Sequence, residues 1–345
     1  MRIVLVSSFV PFINGGARFI VEWLEEKLRE HGHEVEHYYL PFVDYPDETL
    51  QQMAAFRLID LTDYADRVIC FRPPAYAIDH PNKVLWFIHH LRSFYDLWET
   101  PYGARSATQN IEAVKKAVVR FDTQAISEAR HVYTNSKVVS ERLKRFNGLN
   151  SEPLYPPIYQ PERFFNAGYG EEIVYVCRVE PHKRQELLIE AMAHTTTGVK
   201  LRLCGVPSNA DYGQTLRARI AALDVADKVI FEDAWITEEE KAKKLSTALG
   251  VAYIPKDEDS YGYPSLEAAH SQKAVITCTD SGGTLELIED GKNGFLCAPD
   301  PQDLAAAMDR LYADRPATER MGRALEARLT DLRIDWNRVV EAMTA

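Results

Sequence analysis

No apolar run in this sequence approaches the roughly 20 residues that a bilayer-spanning helix requires. Nor does the chain open like a secretory leader: "MRIVLVSSFVPF" holds one arginine and a short β-branched run, which reads as a first strand. Cysteine is scarce, five in 345 residues, and none has CxxC or metal-ligand spacing. Cys70, Cys177, Cys204, Cys278 and Cys297 sit instead in "VICF", "YVCR", "RLCG", "ITCT" and "FLCA", in or beside apolar runs, where buried inert thiols belong. Disulfides and zinc are therefore not expected, and these absences together point to the cytosol. Short repeats and low-complexity blocks are also missing. Positive charge is in deficit, with a net of −11, which argues against nucleic-acid binding. The deficit is uneven, since residues 1–160 carry a net of −2 and residues 161–345 a net of −9. Over 103–148, nine Lys/Arg face four acids, so that stretch could meet something anionic.

What the chain does have is an alternation of strands and helices. "RIVLVSS" is a continuous apolar run of the kind a buried parallel strand shows. Phe19, Ile20, Trp23, Leu24 and Leu28 then recur with a helical period that ends at Gly32. "EVEHYYL", "RVICF", "KVLWFIHH" and "HVYTNS" continue as strands. A second series begins with "EIVYVCR" and runs through a helix at 184–194, "KLRLCG", a helix at 211–223, "VIFED", "GVAYIP", "AVITC" and "GFLCAP". Between the two series, "SEPLYPPIYQPERFFNAGYGEE" is rich in proline and glycine and reads as an exposed linker. The expectation is two Rossmann-like α/β domains, 1–155 and 160–320.

In open α/β sheets, ligands sit beyond the carboxyl ends of the strands, and three segments of the second domain fall there. "RVEPHK" places Arg178 and Lys183 on a strand-to-helix loop, two cations of the kind a diphosphate needs, although a solvated loop would carry the same pair. In "DSYGYPSLEAAH", Gly262 permits a tight turn and Pro264 suits the first turn of a helix whose free amides would face an anion. Glu267 could balance the helix dipole or accept two sugar hydroxyls. "TDSGGTLELIEDGKNG" adds a third turn at Gly282 and Gly283.

Taken together, "CRVEPHKRQELLIEA", "DSYGYPSLEAA" and "VITCTDSGGTLELIEDGKNGFLCAPD" resemble the retaining GT-B glycosyltransferases of the GT4 type, whose signature is an E-x7-E pair around a Gly-aromatic loop. The likeness extends to "INGGARF", "WFIHH", "TNSKVVSERL", "LYPPI" and, at 335–343, "DWNRVVEAM". It implies two Rossmann-like domains facing a central cleft, with a segment at 321–345 returning to the first domain. By position, Arg178 and Lys183 would hold the donor diphosphate and Glu267 the nucleotide ribose, while the loop of Tyr261, Gly262, Tyr263 and Pro264 would pass its amides along the donor sugar and phosphate. Asp259 matches the first acid, which holds hydroxyls of the donor sugar. The pattern here is D-x7-E, one methylene shorter at that end, which puts the reach of Asp259 in question. Glu258 beside it is a substitute, but on an extended loop its side chain is expected to point elsewhere.

In the first domain, Gly15 and Gly16 would let a loop approach the donor phosphate, or would simply form a turn before a helix. His89 and His90 end a strand, where a histidine can be structural; the resemblance places His89 near the transferred sugar. On the basic stretch, Ile111, Val114, Val118 and Phe121 make an apolar helix face, with Lys115 and Lys116 elsewhere. Such a helix either packs its face into the core or presents a basic patch to an anionic membrane or a lipid-diphosphate acceptor.

The resemblance thus implies transfer of a hexosyl group from a UDP- or GDP-sugar to a glycan or lipid-linked acceptor hydroxyl, with retention, in surface-polysaccharide or lipid-linked glycan synthesis. His89 and Asp259 would orient and stabilise the sugar. Arg178, Lys183 and the helix amides would do the work of a divalent metal, so neither metal nor cofactor is expected. The enzyme would be cytoplasmic, with peripheral contact at the inner face of the membrane. A same-fold sugar-nucleotide epimerase or hydrolase, or a degenerate sugar-nucleotide-binding protein, would share these features.

Overall fold

The computed structural model describes residues 1–10, 16–43, 45–100, 102–106 and 110–345. The chain divides into two units: Met1–Pro156 with Ile334–Ala345, and Pro157–Arg333. The first unit contains β1 (Arg2–Phe9), α1 (Gly16–Glu30), β2 (Glu34–Pro41), α2 (Thr49–Arg57), β3 (Arg67–Cys70), β4 (Lys83–Phe87), α3 (Ile111–Ser127), β5 (His131–Thr134), α4 (Lys137–Asn147) and β6 (Glu152–Pro153). The second contains β7 (Glu172–Val176), α5 (Gln185–Met192), β8 (Lys200–Cys204), α6 (Ala210–Ala222), β9 (Val229–Glu232), α7 (Glu238–Ser246), β10 (Gly250–Ala252), α8 (Tyr263–His270), β11 (Val275–Cys278), β12 (Gly294–Cys297), α9 (Pro301–Ala313) and α10 (Arg315–Asp331). The last helix, α11 (Trp336–Thr344), belongs to the first unit.

Both sheets are six-stranded and parallel throughout, as strands joined by helical crossovers must be. The first runs β2-β1-β3-β4-β5-β6. Its central strands β3 and β4 are buried at every residue, including the charged residues that open them. Arg67 donates through Nη1 to the Met343 carbonyl of α11 at 2.7 Å. Lys83 donates through Nζ to the carbonyls of Ile78 and Ala125, both at 2.9 Å, and of Tyr76 at 3.1 Å. Backbone oxygens thus meet most of the donors of both cations, with Glu128 also 3.3 Å from the Lys83 ammonium, while Arg67 Nε is buried without a partner. From α11, Trp336, Val339, Val340 and Met343 complete a core layer with Ile3, Leu5, Leu24, Leu28 and Trp86.

The second sheet runs β12-β11-β10-β7-β8-β9, the doubly wound order in which connections leave β7 and β10 in opposite directions. α10 stays with this unit. Its Gly322 passes so close to Gln272 that any Cβ there would collide with the Gln272 carbonyl. The crossing back to the first unit therefore lies between Arg333 and Ile334, beyond the expected 321.

The segment expected to be an exposed linker is buried over 154–158 and more open beyond, where Phe165, Ala167 and Gly168 are exposed. Glu152 and Pro153 pair with Tyr133 and Thr134 as the edge strand β6, where a proline costs no ladder bond. Residues 154–158 are buried, and the Trp86 indole donates to the Leu154 carbonyl at 2.9 Å. Further on, the buried Lys273 ammonium donates to Asn166 Oδ1 at 2.8 Å and sits 3.9 Å from the Tyr169 ring centroid. Proline and glycine content marked irregular backbone there, and not exposure.

All five cysteines are free, and four of them are buried. Burial pushes the Cys70, Cys204, Cys278 and Cys297 thiols up to about 12. In α3, Ile111 and Val118 are buried beside Trp98 and Tyr95, with Val114 and Phe121 against the same cluster. Among the described residues, no helix is long and apolar enough to cross a membrane.

Candidate active site

In the second sheet, β7 and β10 lie side by side, with Gly250 opposite Ile173 and Val251 opposite Val174. Because the chain leaves them toward opposite edges, their carboxyl ends mark the switch point at which such sheets bind ligands. Three turns meet there, after β7, β10 and β11. Backbone bonds stitch them together: Lys256 N donates to His182 O, and Asp257 N to Asp280 O, both at 2.9 Å, while Gly283 N donates to Glu258 O at 2.8 Å. Glycine is required at this seam. At Gly282, with φ of +63°, a Cβ would collide with the Glu258 backbone, and at Gly283 it would meet Ser260 Cα at 2.6 Å. The Gly-Gly pair is therefore what allows the third turn to lie against the second.

Lys183 ends a short 3-10 turn, Pro181–Lys183, and is buried. Its ammonium pairs with Glu258 and donates to the Tyr253 hydroxyl at 3.3 Å. That hydroxyl donates in turn to Glu258 Oε2 at 3.1 Å. Glu258 is turned onto Lys183, and the backbone around it is not an extended strand, since Asp257 has a left-handed φ of +50°. Burial pushes the Glu258 carboxyl up, but Lys183, Tyr253 and His182 together outweigh it and hold the group below its usual value. Arg178, on the same loop, is 59% exposed and paired with Glu180 at 2.6 Å. Asp259 is half-buried one residue beyond Glu258. Asp257, Glu258 and Asp259 run together in sequence, yet among the described residues no three or more His, Cys, Asp or Glu side chains form a group that could hold a metal ion.

Tyr261 is buried, and Gly262, with φ of +71°, precedes α8. A Cβ on Gly262 would drive into the Tyr253 ring, so this turn is closed to every other residue on two counts. Tyr263 and Pro264 form the first turn of α8, which starts beyond the carboxyl end of β10. One turn on, Glu267 is buried and paired with Lys241 of α7 at 2.6 Å. Burial raises the Glu267 carboxyl, and Lys241 pulls against it. Nothing in the sequence around Lys241 marks it, because the contact joins residues 26 positions apart through tertiary packing. Tyr253 and Arg184 are equally silent in sequence. Arg184 ties the first turn to the others by donating to Pro255 O at 3.1 Å and Asp280 Oδ1 at 2.8 Å.

A depression of about 590 Å³ lies near the opposite, amino ends of β7 and β8, with Glu172, Arg202 and Lys244 in its lining. Its charges are already matched, Arg202 with Glu172 at 2.6 Å and Lys244 with Glu232 at 3.0 Å, so it is a surface ion-pair network.

In the first unit, Gly15 lies outside the described residues, and Gly16 is the first residue of α1. His89 and His90 follow β4 and take different surroundings. His90 is buried among Phe87, Tyr95 and Phe146, with Nε2 2.8 Å from Asn147 Oδ1. His89 is half-buried, and its Nδ1 lies 2.7 Å from the His90 carbonyl. A carbonyl only accepts, so Nδ1 carries the proton and Nε2 presents a lone pair. Burial, then the Arg72 charge, push His89 down to about 3, leaving it neutral at pH 7. Arg72, on the turn after β3, carried no signal in the sequence. The structure therefore brings Lys183, Tyr253, Glu258 and Gly262 into one contact group, links Glu267 to Lys241, and places His89 in the other unit.

Residues 162–328 match the family described as Glycosyl transferases group 1. Among curated proteins, the human alpha-1,3/1,6-mannosyltransferase ALG2 is 31% identical over 217 residues, covering 56% of this chain and 51% of its own length. The chain spans from 30% to 55% of the length of the first curated relatives it matches. Among solved structures, Anabaena Alr3699/HepE in complex with UDP superposes with a TM-score of 0.72 at 17% identity, over 99% of this chain and 98% of that one. WaaG, a glycosyltransferase involved in lipopolysaccharide biosynthesis, superposes with a TM-score of 0.70 at 14% identity over the whole of both chains. These likenesses at low identity speak for the fold.

Proposed function

We propose, from the premise that this is a GT-B protein of the GT4 type carrying a glycosyl transferases group 1 match over residues 162–328, that it moves a hexosyl group from a nucleoside-diphosphate sugar to an acceptor hydroxyl with retention. The observation that carries the proposal is the meeting of three turns at the carboxyl ends of β7, β10 and β11. There a buried lysine, a glycine that no other residue can replace and the start of α8 meet at backbone-stitched turns. In this reading Lys183, Arg178 and the amides of Tyr261, Gly262 and Tyr263, on the turn that Pro264 shapes, take the donor diphosphate, and Glu267 takes the ribose. Asp259 takes the sugar in this reading, and the resemblance assigns His89 to the sugar and Gly15 and Gly16 to the phosphate. His89 Nε2, held as an acceptor, would receive a hydrogen bond from a sugar hydroxyl. The C1–O bond to the diphosphate breaks while C1 bonds the acceptor oxygen on the same face. The acceptor proton passes to the departing phosphate oxygen, and Lys183 and Arg178 stabilise the charge that develops there. Those cations take the role a metal would fill, and no cofactor enters.

A UDP- or GDP-sugar donor is supported by a HepE structure described in complex with UDP-glucose and by the mannosyltransferase name of the human relative. A lipid-linked or surface glycan acceptor fits the same relatives, and a peripheral position at the cytoplasmic membrane face fits the basic 103–148 stretch. Calorimetric titration of UDP, GDP, ADP and dTDP in the presence of EDTA tests the donor site. One nucleotide should bind, and the double variant Arg178→Ala/Lys183→Ala should lose it. Binding of none, or binding that survives the double variant, would remove this assignment.

A further inference from the structure

Lys183 is buried, and a buried ammonium without a counter-charge is costly. Glu258 supplies that charge. Lys183 donates to the Tyr253 hydroxyl and to Glu258 Oε2, and Tyr253 donates to the same oxygen, so three groups close a triangle on one carboxylate. The backbone beneath Glu258 is tied at two points, through Asp257 N to Asp280 O and through Glu258 O to Gly283 N. Movement of this carboxylate is therefore left to its own side-chain torsions.

A donor diphosphate and Glu258 would want the same ammonium. We infer that Glu258 is a displaceable counter-ion, which occupies Lys183 in the empty site, yields it to the donor diphosphate, and so couples donor binding to the uptake of a proton. The inference rests on the reading of Lys183 as a diphosphate ligand. It makes Glu258 a residue that sets donor affinity without itself holding the sugar.

The groups facing Glu258 define the sign. From the β7–α5 loop come Lys183 and the His182 ring, and His182 is also bound to Glu180. From β10 comes Tyr253, and Arg178 is turned to Glu180. Asp257 and Asp259 flank Glu258 in sequence and add negative charge. In the empty site, Lys183 keeps Glu258 ionised against burial. Once the diphosphate takes Lys183, burial and the nearby phosphate charge both raise the carboxyl. Between the lowered value of the empty site and the raised value of the complex, binding takes up a proton. Donor affinity therefore strengthens as pH falls through that window and levels off below it.

The test is calorimetric titration of UDP-glucose and, separately, GDP-mannose into wild type and Glu258→Gln between pH 6 and 8, in two buffers of different ionisation enthalpy. Neither donor has a phosphate proton that titrates in this range. Wild type should take up a fraction of a proton and bind more tightly toward pH 6. Glu258→Gln, which keeps an oxygen for Tyr253, should bind about tenfold more tightly at pH 8 with a flat pH dependence. Weaker binding by Glu258→Gln, or proton-neutral binding by wild type, would overturn the inference while leaving the donor site intact. Should Glu258→Gln not fold, the proton count of His182→Asn decides, since that variant removes the neighbouring imidazole and leaves Glu258 to take up the proton. If neither donor binds to wild type, the donor-site reading fails and this inference falls with it.

Discussion

Glu267 is a buried carboxylate held by a cation from another helix, Lys241 at 2.6 Å. Lys241→Met would leave that carboxylate buried and unpaired, at a cost of about 3 kcal/mol. Urea denaturation should register the loss, and Lys241→Met/Glu267→Gln should recover most of it because the stranded charge is gone. Nucleotide binding should fall in the double variant even so, since Gln cannot accept from two ribose hydroxyls as a carboxylate does. Full binding by the double variant would show that Glu267 only answers Lys241. At this scale the sequence was legible where a residue type has one use. Gly262 and Gly282 were visible as turns because left-handed backbone beside a neighbouring chain admits little else. Glu258 and Lys241 were not, because their roles come from a left-handed Asp257 and from a helix-to-helix contact.

Between elements, a buried polar network joins α3, α4 and the turn after β4. The Tyr95 hydroxyl donates to Asp122 Oδ2 at 2.6 Å, and Asn147 lies between His90 and Thr123, 2.8 Å from each. Burial pushes Asp122 up to about 7 and His90 down to about 4. The signs oppose each other. Below pH 7 the folded chain keeps a proton on Asp122 that the unfolded chain releases, which adds stability on acidification. Below about pH 6.5 the unfolded chain protonates the histidine while the folded one does not, which removes stability. Asp122→Asn deletes only the first contribution. Its stability should fall more steeply than wild type between pH 6.5 and 4, by up to about 1.4 kcal/mol per pH unit for His90. Denaturant midpoints across that range decide it, and parallel slopes would contradict the raised Asp122 carboxyl.

On the outer side of the same α3, Lys116 and Arg120 are exposed one turn apart, whereas Lys115 sits 4.0 Å from the Trp98 ring centroid. Lys116→Glu/Arg120→Glu should therefore weaken sedimentation with anionic liposomes at low salt without a change in melting temperature; unchanged sedimentation would dismiss the membrane patch. Strands and helices were readable from apolar periodicity in both units, since buried parallel strands such as β4 are apolar runs with few rivals. Residues 154–158 were misjudged because proline reports missing amide donors and says nothing about burial.

At the scale of the whole molecule, two parallel sheets of six strands each place their connecting turns at carboxyl ends, and the sequence motifs cluster on those turns. That placement follows from topology: any residue after a parallel strand in a doubly wound sheet arrives at the ligand-binding end. The alternation of elements made this legible. The crossing at Arg333–Ile334 was less so, because α10 and α11 each carry a buried apolar face, and packing against Gln272 in one unit or the β1 layer in the other separates them.

The central claim is retaining hexosyl transfer, and its most direct measurement is proton NMR of the product. The protein is incubated with UDP-glucose or GDP-mannose, EDTA and a panel of alkyl glycoside and lipid-diphosphate-linked sugar acceptors. The account predicts donor loss that depends on an acceptor, and an anomeric signal of the same configuration as the donor sugar. An inverted product, or a donor consumed equally well with no acceptor present, would contradict it.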